Sequence, residues 1–441
     1  MSFGRTTPEP SIQDRAPHIT GPTGRTASPR GDIAETGEPA RAAAPFRMGF
    51  AEFVVFVAAC MALNALAIDI MLPALPELGH ALGVVDANDR QSVIIAYMFG
   101  FGPSQLLYGP LSDRFGRKAT LIGGLLVFSL AGALSAFAPT FRLLLLSRAL
   151  EGFGAGSSRV VAVTLVRDRY RGAEMARVMS LSMMVFMVIP ILAPTIGQGI
   201  LFVAPWRGIF GVLAIAGVAI VVWAWQRMDE TLRPENRRDL SLRRVSAGFA
   251  ETVRNRTTLA YTIATGFVFG GLMSFITSAQ QIFQDTFGVE REFPLLFAII
   301  ALTMSAASFL NSRWVRRLGV ARLSHSALWV LIGVSGLHGG LALLGWVSLP
   351  AFIVLEALTL FVFGFVGANF NSIAMEPMGH IAGTASSAIG AITTIISAVL
   401  GLVIGQLYDG TIVPLVLGTC ILGVVSRIVL WVTGQRAGDP A

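Results

Sequence analysis

Three carboxylates and two arginines interrupt long apolar segments of this sequence. The carboxylates are Asp69, Glu151 and Glu356, and the arginines are Arg148 and Arg159. A carboxyl group in apolar surroundings favours its protonated form, whereas a neighbouring arginine favours the ionised form. Residues held in such a balance can take up and release protons, so reversible protonation is the chemistry that these residue types permit.

Other chemistry finds little support in the sequence. Cys60 and Cys420 lie in apolar segments near opposite ends of the chain, without the spacing of a metal site or a redox pair. The sequence contains no zinc-protease motif, nucleophile elbow or nucleotide-binding loop. We therefore expect neither an enzyme nor an ATP-driven pump, and no metal or other cofactor.

The composition indicates a chain that is solvated by lipid. Of its 441 residues, 54% are hydrophobic and only 13% are charged, a mixture that cannot form a water-soluble surface. The net charge of +7 is interpreted as basic loops beside a membrane. A lipid bilayer is the predicted partner, and no nucleic acid is expected.

Twelve apolar segments must position these charged residues. A helix that crosses a membrane needs about 20 mainly apolar residues. The predicted spans are 49–71, 91–111, 119–138, 143–166, 178–203, 207–226, 259–283, 294–312, 323–347, 351–375, 384–408 and 411–433. We therefore predict an all-α membrane protein with twelve transmembrane helices.

The polar segments divide the chain into two bundles of six helices. Residues 48–227 and 258–434 form the predicted bundles, and residues 228–257 form a central loop between them. Residues 1–47 are rich in Pro, Gly, Ser, Thr and Arg and are predicted to be a disordered tail. Residues 435–441 form a short tail at the other end.

Basic residues predict how the bundle is oriented. With the N-terminus inside, the inner loops carry nineteen arginines and lysines, whereas the outer loops and their edges carry four. The positive-inside rule therefore places both termini in the cytoplasm. The loop after the tenth span has no basic residue and does not contribute to this assignment.

The loop between the second and third spans carries a known motif. The pattern G-x-L-x-D-R-x-G-R-K is matched at seven positions, which are Gly109, Leu111, Asp113, Arg114, Gly116, Arg117 and Lys118. At this loop the chain resembles the major facilitator superfamily. The resemblance implies two bundles around a central cavity. Contacts of the acidic and basic residues would close the inner side in one conformation.

The fourth span resembles a second motif of that family. Its pattern L-x3-R-x2-Q-G-x-G-A is matched around Arg148, with Glu151 where glutamine is usual. Arg159 lies three helical turns beyond Arg148 and shares its face, so we expect the two to line one side of a water-filled cavity. Glu151 can instead hold Arg148 in a structural pair, and both interpretations stay open.

The fifth span is similar to the family's antiporter motif, G-x3-G-P-x2-G-G. It retains Pro194 and Gly197 and has a further proline at Pro190, while other residues replace three glycines. Proline bends a helix and small residues allow close packing. The resemblance favours export over uptake, and a generic kinked helix is the alternative.

The end of the first span suggests a narrower assignment. Residues 69–76 read D-I-M-L-P-A-L-P, which is similar to the signature of the Bcr/CflA drug-resistance branch. Arg167-Asp168 and Glu230-Thr231-Leu232 match the same branch. This resemblance covers residues 50–232 well, whereas the second half matches mostly in hydropathy.

Several residues are candidates for the proton and substrate sites. Asp69 is the first proton candidate, because the first helix lines the cavity in this family, although it can also shape the outer turn. Glu151 with Arg148 is the second candidate, and Glu356, which can alternatively reach the outer surface, is the third. The candidates for cavity or substrate contact are Asn64, Tyr97, Gln105, Arg159 and Met183.

The resemblance implies a monomeric inner-membrane antiporter that exports small amphipathic molecules in exchange for protons. A proton-coupled importer or exchanger of a specific metabolite on the same fold is the alternative. A receptor on a transporter scaffold is disfavoured by the intact loop motif.

Overall fold

The computed structural model describes residues 47–232, 235, 237 and 242–435 of the chain. Twelve helices of 20 or more residues occur in these ranges, and no strand does. We number them α1 (Phe50–Asp69), α2 (Ser92–Phe115), α3 (Arg117–Ala136), α4 (Phe141–Arg169), α5 (Gly172–Leu201), α6 (Arg207–Arg227), α7 (Arg256–Gln281), α8 (Phe293–Leu318), α9 (Val320–Leu343), α10 (Leu349–Met375), α11 (Ala382–Gln406) and α12 (Val413–Val432).

Each long helix corresponds to one predicted span, and the predicted all-α fold is confirmed. Most boundaries agree within about four residues, but α5 begins six residues before its predicted span and α8 ends six residues after its predicted span. All but one residue of each predicted tail lies outside the described ranges. We call the end of the bundle that holds the α2–α3 loop the inner end, and the opposite end the outer end.

Short helices connect several of the long ones. Between α1 and α2 the chain forms a 3-10 turn, a helix at Leu75–Ala81 and a second 3-10 turn at Ala87–Gln91. The predicted central loop contains an amphipathic helix, Leu242–Arg254, which the sequence analysis did not predict. A 3-10 helix at Glu376–Ile381 joins α10 to α11.

Within the described residues, nine helical segments are long and apolar enough to cross a membrane, and one of them, residues 349–406, contains both α10 and α11. Helices α2 and α4 are not among the nine. Two prolines interrupt α2, and charged residues interrupt α4. The charged residues of α4 that face the protein, such as Arg148 and Glu151, are buried, so they do not meet lipid.

Two pairs of helices connect the first six helices to the last six. Helix α2 packs against α11, and α5 packs against α8. Inside the first half, α2 and α4 approach so closely that a Cβ at Gly152 would overlap the carbonyl oxygen of Tyr97. Such glycine contacts let transmembrane helices pack at short distance. They hold the charged residues of α4 against α2.

Candidate functional site

Arg148 and Glu151 form an ion pair that is completely buried. The distance from Arg148 Nη1 to Glu151 Oε2 is 2.8 Å, and neither side chain is exposed. Arg148 also donates to the carbonyl oxygens of Ala67 on α1 and Val93 on α2, at 2.9 and 3.3 Å. The expectation that Arg148 lines a water-filled cavity is therefore wrong for this conformation, because protein groups enclose its guanidinium.

A ring contact and then two hydrogen bonds continue from this pair toward the inner end. The guanidinium of Arg148 lies 4.6 Å from the centre of the Tyr97 ring. The Tyr97 hydroxyl donates to Asn64 Oδ1 at 3.2 Å, and Asn64 Nδ2 donates to Ser158 Oγ at 3.0 Å. Two predicted cavity residues thus join α1, α2 and α4, and both are buried.

Arg159 has a different environment from Arg148, although the two share one face of α4. Its side chain is exposed, and its guanidinium lies 6.0 Å from the centre of the Phe101 ring. The next residue, Val160, lines a cavity at the inner end. Arg159 itself is not among the described residues that line this cavity, so its predicted contact with a cavity stays a prediction.

Asp69 is buried at the outer end of α1. It is 4% exposed, and its Oδ1 has no hydrogen-bond partner within the described part of the chain. Helix α5 packs directly against this region, since a Cβ at Gly197 would overlap the carbonyl oxygen of Ile70. The antiporter-like motif therefore contacts the branch signature, and Pro190 and Pro194 both lie inside α5.

Glu356 is buried in the second half of the molecule rather than at the outer surface. Its Oε2 lies 3.8 Å from Nδ1 of His338 on α9, and both side chains are almost unexposed. The His338 ring packs against Phe352, with 5.6 Å between the ring centres. Sequence reasoning missed His338, and a histidine inside the apolar segment of α9 was the available signal.

The loop motif forms a charged cluster within the first half. Arg117 pairs with Asp113 at 2.6 Å and with Asp168 at 3.1 Å. The Glu230 carboxylate accepts from the backbone amides of Arg117 and Lys118, at 2.9 and 3.2 Å, and so caps the N-terminus of α3. In this conformation these contacts do not connect the two halves.

Glycine is required where α2 turns into α3. Gly116 has φ +96°, which disfavours other residues, and a Cβ there would overlap the Glu230 carboxylate. The remaining motif residues lie around this turn. Arg114 lies in the last turn of α2, Lys118 Nζ donates to the Trp225 carbonyl at 2.8 Å, and Gly109 lines the inner cavity.

A cavity of about 830 Å³ separates the halves at the inner end. It lies between the inner ends of α2 and α4 and the start of α11, beside the 3-10 helix Glu376–Ile381. Arg167 of α4 reaches across it, since a Cβ at Gly383 would lie 3.3 Å from the guanidinium. The cavity has room for a small organic molecule.

Amide side chains join the halves at the outer end. Gln91 of the first half donates to Gln281 of the second and to the carbonyl oxygen of Gly405, the latter at 3.2 Å. Gln281 donates in turn to Asn88 at 2.8 Å, and Gln406 donates to the Asn88 carbonyl at 2.9 Å. We call Asn88, Gln91, Gln281 and Gln406 the amide network.

The turn after α11 supports the amide network. Asn88 Nδ2 donates to the Tyr408 carbonyl at 2.9 Å, and the Tyr408 hydroxyl donates to the Gln281 carbonyl at 3.2 Å. Hydrogen bonds from the Thr411 hydroxyl and amide lower the pKa of Asp409 in the same turn. Sequence reasoning missed this network, because neither Asn88 nor Gln281 has a local signal for partners so distant in the chain.

Two predicted substrate contacts lie elsewhere. Gln105 donates to Thr394 on α11 at 3.3 Å, so it connects the halves. Met183 lies on α5, is 37% exposed, and is absent from the lining of the inner cavity. The structure thus brings Arg148, Glu151, Asn64 and Tyr97 together and leaves Gln105, Met183 and Glu356 apart from them.

The family of this chain follows from its match to known sequences. The model of the Major Facilitator Superfamily matches residues 57–402, which is well over half of the chain. The chain therefore belongs to the Major Facilitator Superfamily, as the loop motif predicted. It is a multi-pass membrane transporter of small molecules rather than an enzyme.

Curated relatives match along most of the chain. The uncharacterized transporter YdgK of Bacillus subtilis is 29% identical over 388 residues, covering 86% of this chain and 94% of YdgK. A bicyclomycin resistance protein homolog of Haemophilus influenzae is 29% identical, covering 84% of this chain and 93% of the relative. The multidrug resistance protein MdtL of Shigella dysenteriae is 30% identical over 77% of this chain and 84% of its own length.

Solved structures show the same fold at low sequence identity. The human organic anion transporter MFSD10 (TETRAN) has a TM-score of 0.64 and 19% identity, covering 86% of this chain and 98% of that chain. The xylose transporter XylE of E. coli, in a partially occluded inward open conformation, has a TM-score of 0.65 and 13% identity, covering 86% and 97%. At these identities the likeness concerns the fold alone.

Proposed function

We propose that this chain exports small amphipathic, drug-like molecules across the inner membrane in exchange for protons. The observation that carries the proposal is the asymmetry of the bundle. A cavity of about 830 Å³ separates the halves at the inner end, while the amide network joins them at the outer end. A molecule in the cavity can leave on the other side only when the outer contacts open and the inner ends close.

The names of the relatives support the choice of substrate class. A bicyclomycin resistance protein homolog and a multidrug resistance protein each match more than three quarters of this chain. The antiporter-like motif on α5 favours export over uptake. The rocking units in this proposal are the two predicted bundles of a monomer with both termini in the cytoplasm, residues 48–227 and 258–434.

The loop motif would close the inner end in the outward-facing conformation. Asp113, Arg117 and Asp168 line the same cavity as the start of α11. In the conformation described here their charges are satisfied within the first half. Movement of α11 toward them would close the cavity without transferring these charges into lipid.

Asp69 is the proposed proton carrier. Its carboxylate is buried, one of its oxygens has no hydrogen-bond partner among the described groups, and it lies where α5 meets α1. A carboxyl group in this setting favours the protonated form until it meets water. Glu151, which is paired with Arg148, and Glu356 beside His338 are the remaining candidates.

Inside-out membrane vesicles provide the test. An exported substrate added to vesicles with an acidic interior should dissipate the pH gradient, and Asp69→Asn should abolish this effect. Asp229→Asn, which removes a carboxylate at the inner surface, should leave it intact. Glu151→Gln and Glu356→Gln are measured in parallel. If Asp69→Asn, Glu151→Gln and Glu356→Gln all dissipate the pH gradient as the wild type does, the proton assignment is wrong.

A drug-susceptibility panel in a pump-deficient host tests the direction and the substrate class. The wild-type chain should raise resistance to at least one amphipathic drug, and Asp69→Asn should remove that resistance. If the chain confers no resistance but accelerates proton-driven uptake of a metabolite into cells, the import alternative replaces the proposal.

A further inference from the structure

We propose that Arg159 binds an anionic group of the transported molecule, so that the preferred substrates are small amphipathic anions. This inference rests on the proposed transport function and narrows its substrate class. It is carried by the position of Arg159, the lack of a carboxylate partner, and the charges of the cavity below it.

The position of Arg159 follows from its neighbours on α4. Gly156 packs against Ser104 of α2, and Ser158 bonds to Asn64 of α1. Successive side chains of an α-helix are rotated by about 100° around its axis. The side chain of Arg159 therefore leaves α4 between the directions of Gly156 and Ser158, toward the space between α1 and α2. Its side chain is exposed, and its guanidinium lies 6.0 Å from the ring centre of the buried Phe101, so we place it in that internal space.

Arg159 has no carboxylate partner where other arginines of the first half have one. Arg148 pairs with Glu151, and Arg117 pairs with two aspartates. For Arg159 no ion pair occurs within the described ranges of the chain. An arginine inside a membrane protein is costly unless it is paired or hydrated, so this charge is available for an anion that enters with water.

The mouth of the cavity does not compensate this charge. Among the residues that the structure describes, its lining includes three acidic and three basic groups, which balance each other; these are Asp113, Asp168, Glu235, Arg117, Arg167 and Arg237. His380 also lines the mouth and is paired with Glu251. Arg159 lies deeper, next to the cavity-lining Val160, and we assign the positive charge at this depth to its guanidinium.

The walls near Arg159 suit the apolar part of such a molecule. The ring centre of Phe101 lies 6.0 Å from the guanidinium. An aromatic carboxylate could place its carboxylate on Arg159 and its ring beside that of Phe101. An amphipathic cation of the same shape would meet like charge at this position.

Two xanthene dyes of matched shape and opposite charge test the proposal on the full-length purified chain in lipid nanodiscs. Fluorescein is the anionic probe, rhodamine 6G is the cationic probe, and binding is followed by fluorescence anisotropy at neutral pH. We expect fluorescein to bind at least 10-fold more tightly than rhodamine 6G. Arg159→Gln should weaken fluorescein binding at least 10-fold and leave rhodamine binding unchanged or improved, whereas Arg159→Lys should retain part of the affinity.

The control variant is Arg322→Gln, which removes an exposed arginine at the start of α9. It should bind fluorescein as the wild type does. The proposal is overturned if fluorescein fails to bind, if rhodamine 6G binds equally well, or if Arg159→Gln retains the affinity for fluorescein while remaining folded by size-exclusion chromatography. If Arg159→Gln does not fold, folded Arg159→Lys decides the question: weaker binding of fluorescein than in the wild type supports the proposal, and unchanged binding overturns it.

Because binding requires no pH gradient, this outcome is separate from that of the proposed function. Anion-selective binding without proton exchange in vesicles would sink the antiport proposal and keep the Arg159 assignment. If cationic drugs drive proton exchange and Arg159→Gln is as active as the wild type, the antiport proposal is kept and the Arg159 assignment is rejected.

Discussion

The inner and outer ends of the bundle use different chemistry to hold the helices. At the inner end, charged groups pair within the first half, as Arg117 does with Asp113 and Asp168. At the outer end, neutral amides such as Gln91 and Gln281 connect the two halves. Losing one partner of a fully buried ion pair such as Arg148–Glu151 costs about 3–5 kcal/mol, whereas a neutral hydrogen bond contributes about 0.5–1.5 kcal/mol.

This difference suits a molecule whose halves must separate and rejoin. Contacts that break in each transport cycle are weak and leave no unpaired charge when they open. Contacts that must persist involve the ion pairs, which move as part of one half. The buried pair of Arg148 and Glu151 follows the same pattern, because all its partners belong to α1, α2 and α4.

The largest expected effect comes from breaking that buried pair. Glu151→Ala leaves the Arg148 charge without its carboxylate and should destabilise the protein by about 3–5 kcal/mol. The double variant Arg148→Met with Glu151→Leu should be considerably more stable than Glu151→Ala, because no charge remains buried. Denaturant unfolding of the purified protein in detergent measures both. Equal stability of Glu151→Ala and the wild type would show that the pair is not a structural element of this half.

Removing the amide network should have a smaller energetic effect than Glu151→Ala, and this effect concerns the equilibrium between the conformations that are closed and open at the outer end. Gln91→Ala with Gln281→Ala deletes three hydrogen bonds near the outer end, a loss of about 1.5–4 kcal/mol, or roughly tenfold or more in the ratio of the conformations. Spin labels at Val85→Cys and Glu290→Cys, in a Cys420→Ala background, should report longer distances by pulsed electron resonance. Both label sites are exposed and lie in outer connections of different halves.

The matched control for the amide network is Gln284→Ala. Gln284 accepts from Gln280 at 2.7 Å, so this change removes an amide pair inside one half. The control should leave the distance distribution unchanged. An identical distribution in the double variant and the wild type would contradict a role of the network in holding the outer end closed.

Loss of the cap on α3 should have a smaller effect. Glu230→Ala removes the acceptor of the Arg117 and Lys118 amides and should cost about 1–2 kcal/mol. Unfolding by denaturant is the measurement, and Glu290→Gln, an exposed change at the outer end, serves as the control. If Glu230→Ala loses no more free energy of unfolding than Glu290→Gln, water satisfies the Arg117 and Lys118 amides as well as the Glu230 carboxylate does.

The smallest effect is expected for an ion pair at the inner surface. Arg47 and Asp229 are 64% and 32% exposed, with 3.5 Å between their charged groups. Arg47→Ala should change the free energy of unfolding by less than about 1 kcal/mol, because water competes for both charges. A loss as large as that of Glu151→Ala would show that exposure does not distinguish the two pairs.

Local sequence patterns were sufficient to predict the helices and the family. Apolar length determines a transmembrane helix, and the loop motif lies within ten residues, so neither prediction needed distant contacts. The candidate site was predicted in part. Asn64, Tyr97, Arg148 and Glu151 do lie together, because their motifs occupy helices that pack side by side.

Partners on separate helices could not be predicted in this way. Glu356 was identified without His338, and Gln105 without Thr394, because neither pairing leaves a periodic pattern in the sequence. The amide network depends on residues about 190 positions apart. Packing of complete helices, rather than local propensity, brings these groups together.

The sequence by itself determined that this protein is a twelve-helix transporter of its family, with charged residues on one face of α4. Only the tertiary structure decided that Arg148 is sealed against α1 and α2 while Arg159 remains open to the interior. The physical reason is that helical periodicity specifies a shared face, but the two arginines lie about 16 Å apart along the axis. Carbonyl oxygens of α1 and α2 enclose the first, whereas the second lies next to the lining of the inner cavity, and this difference arises from contacts between helices that are distant in the chain.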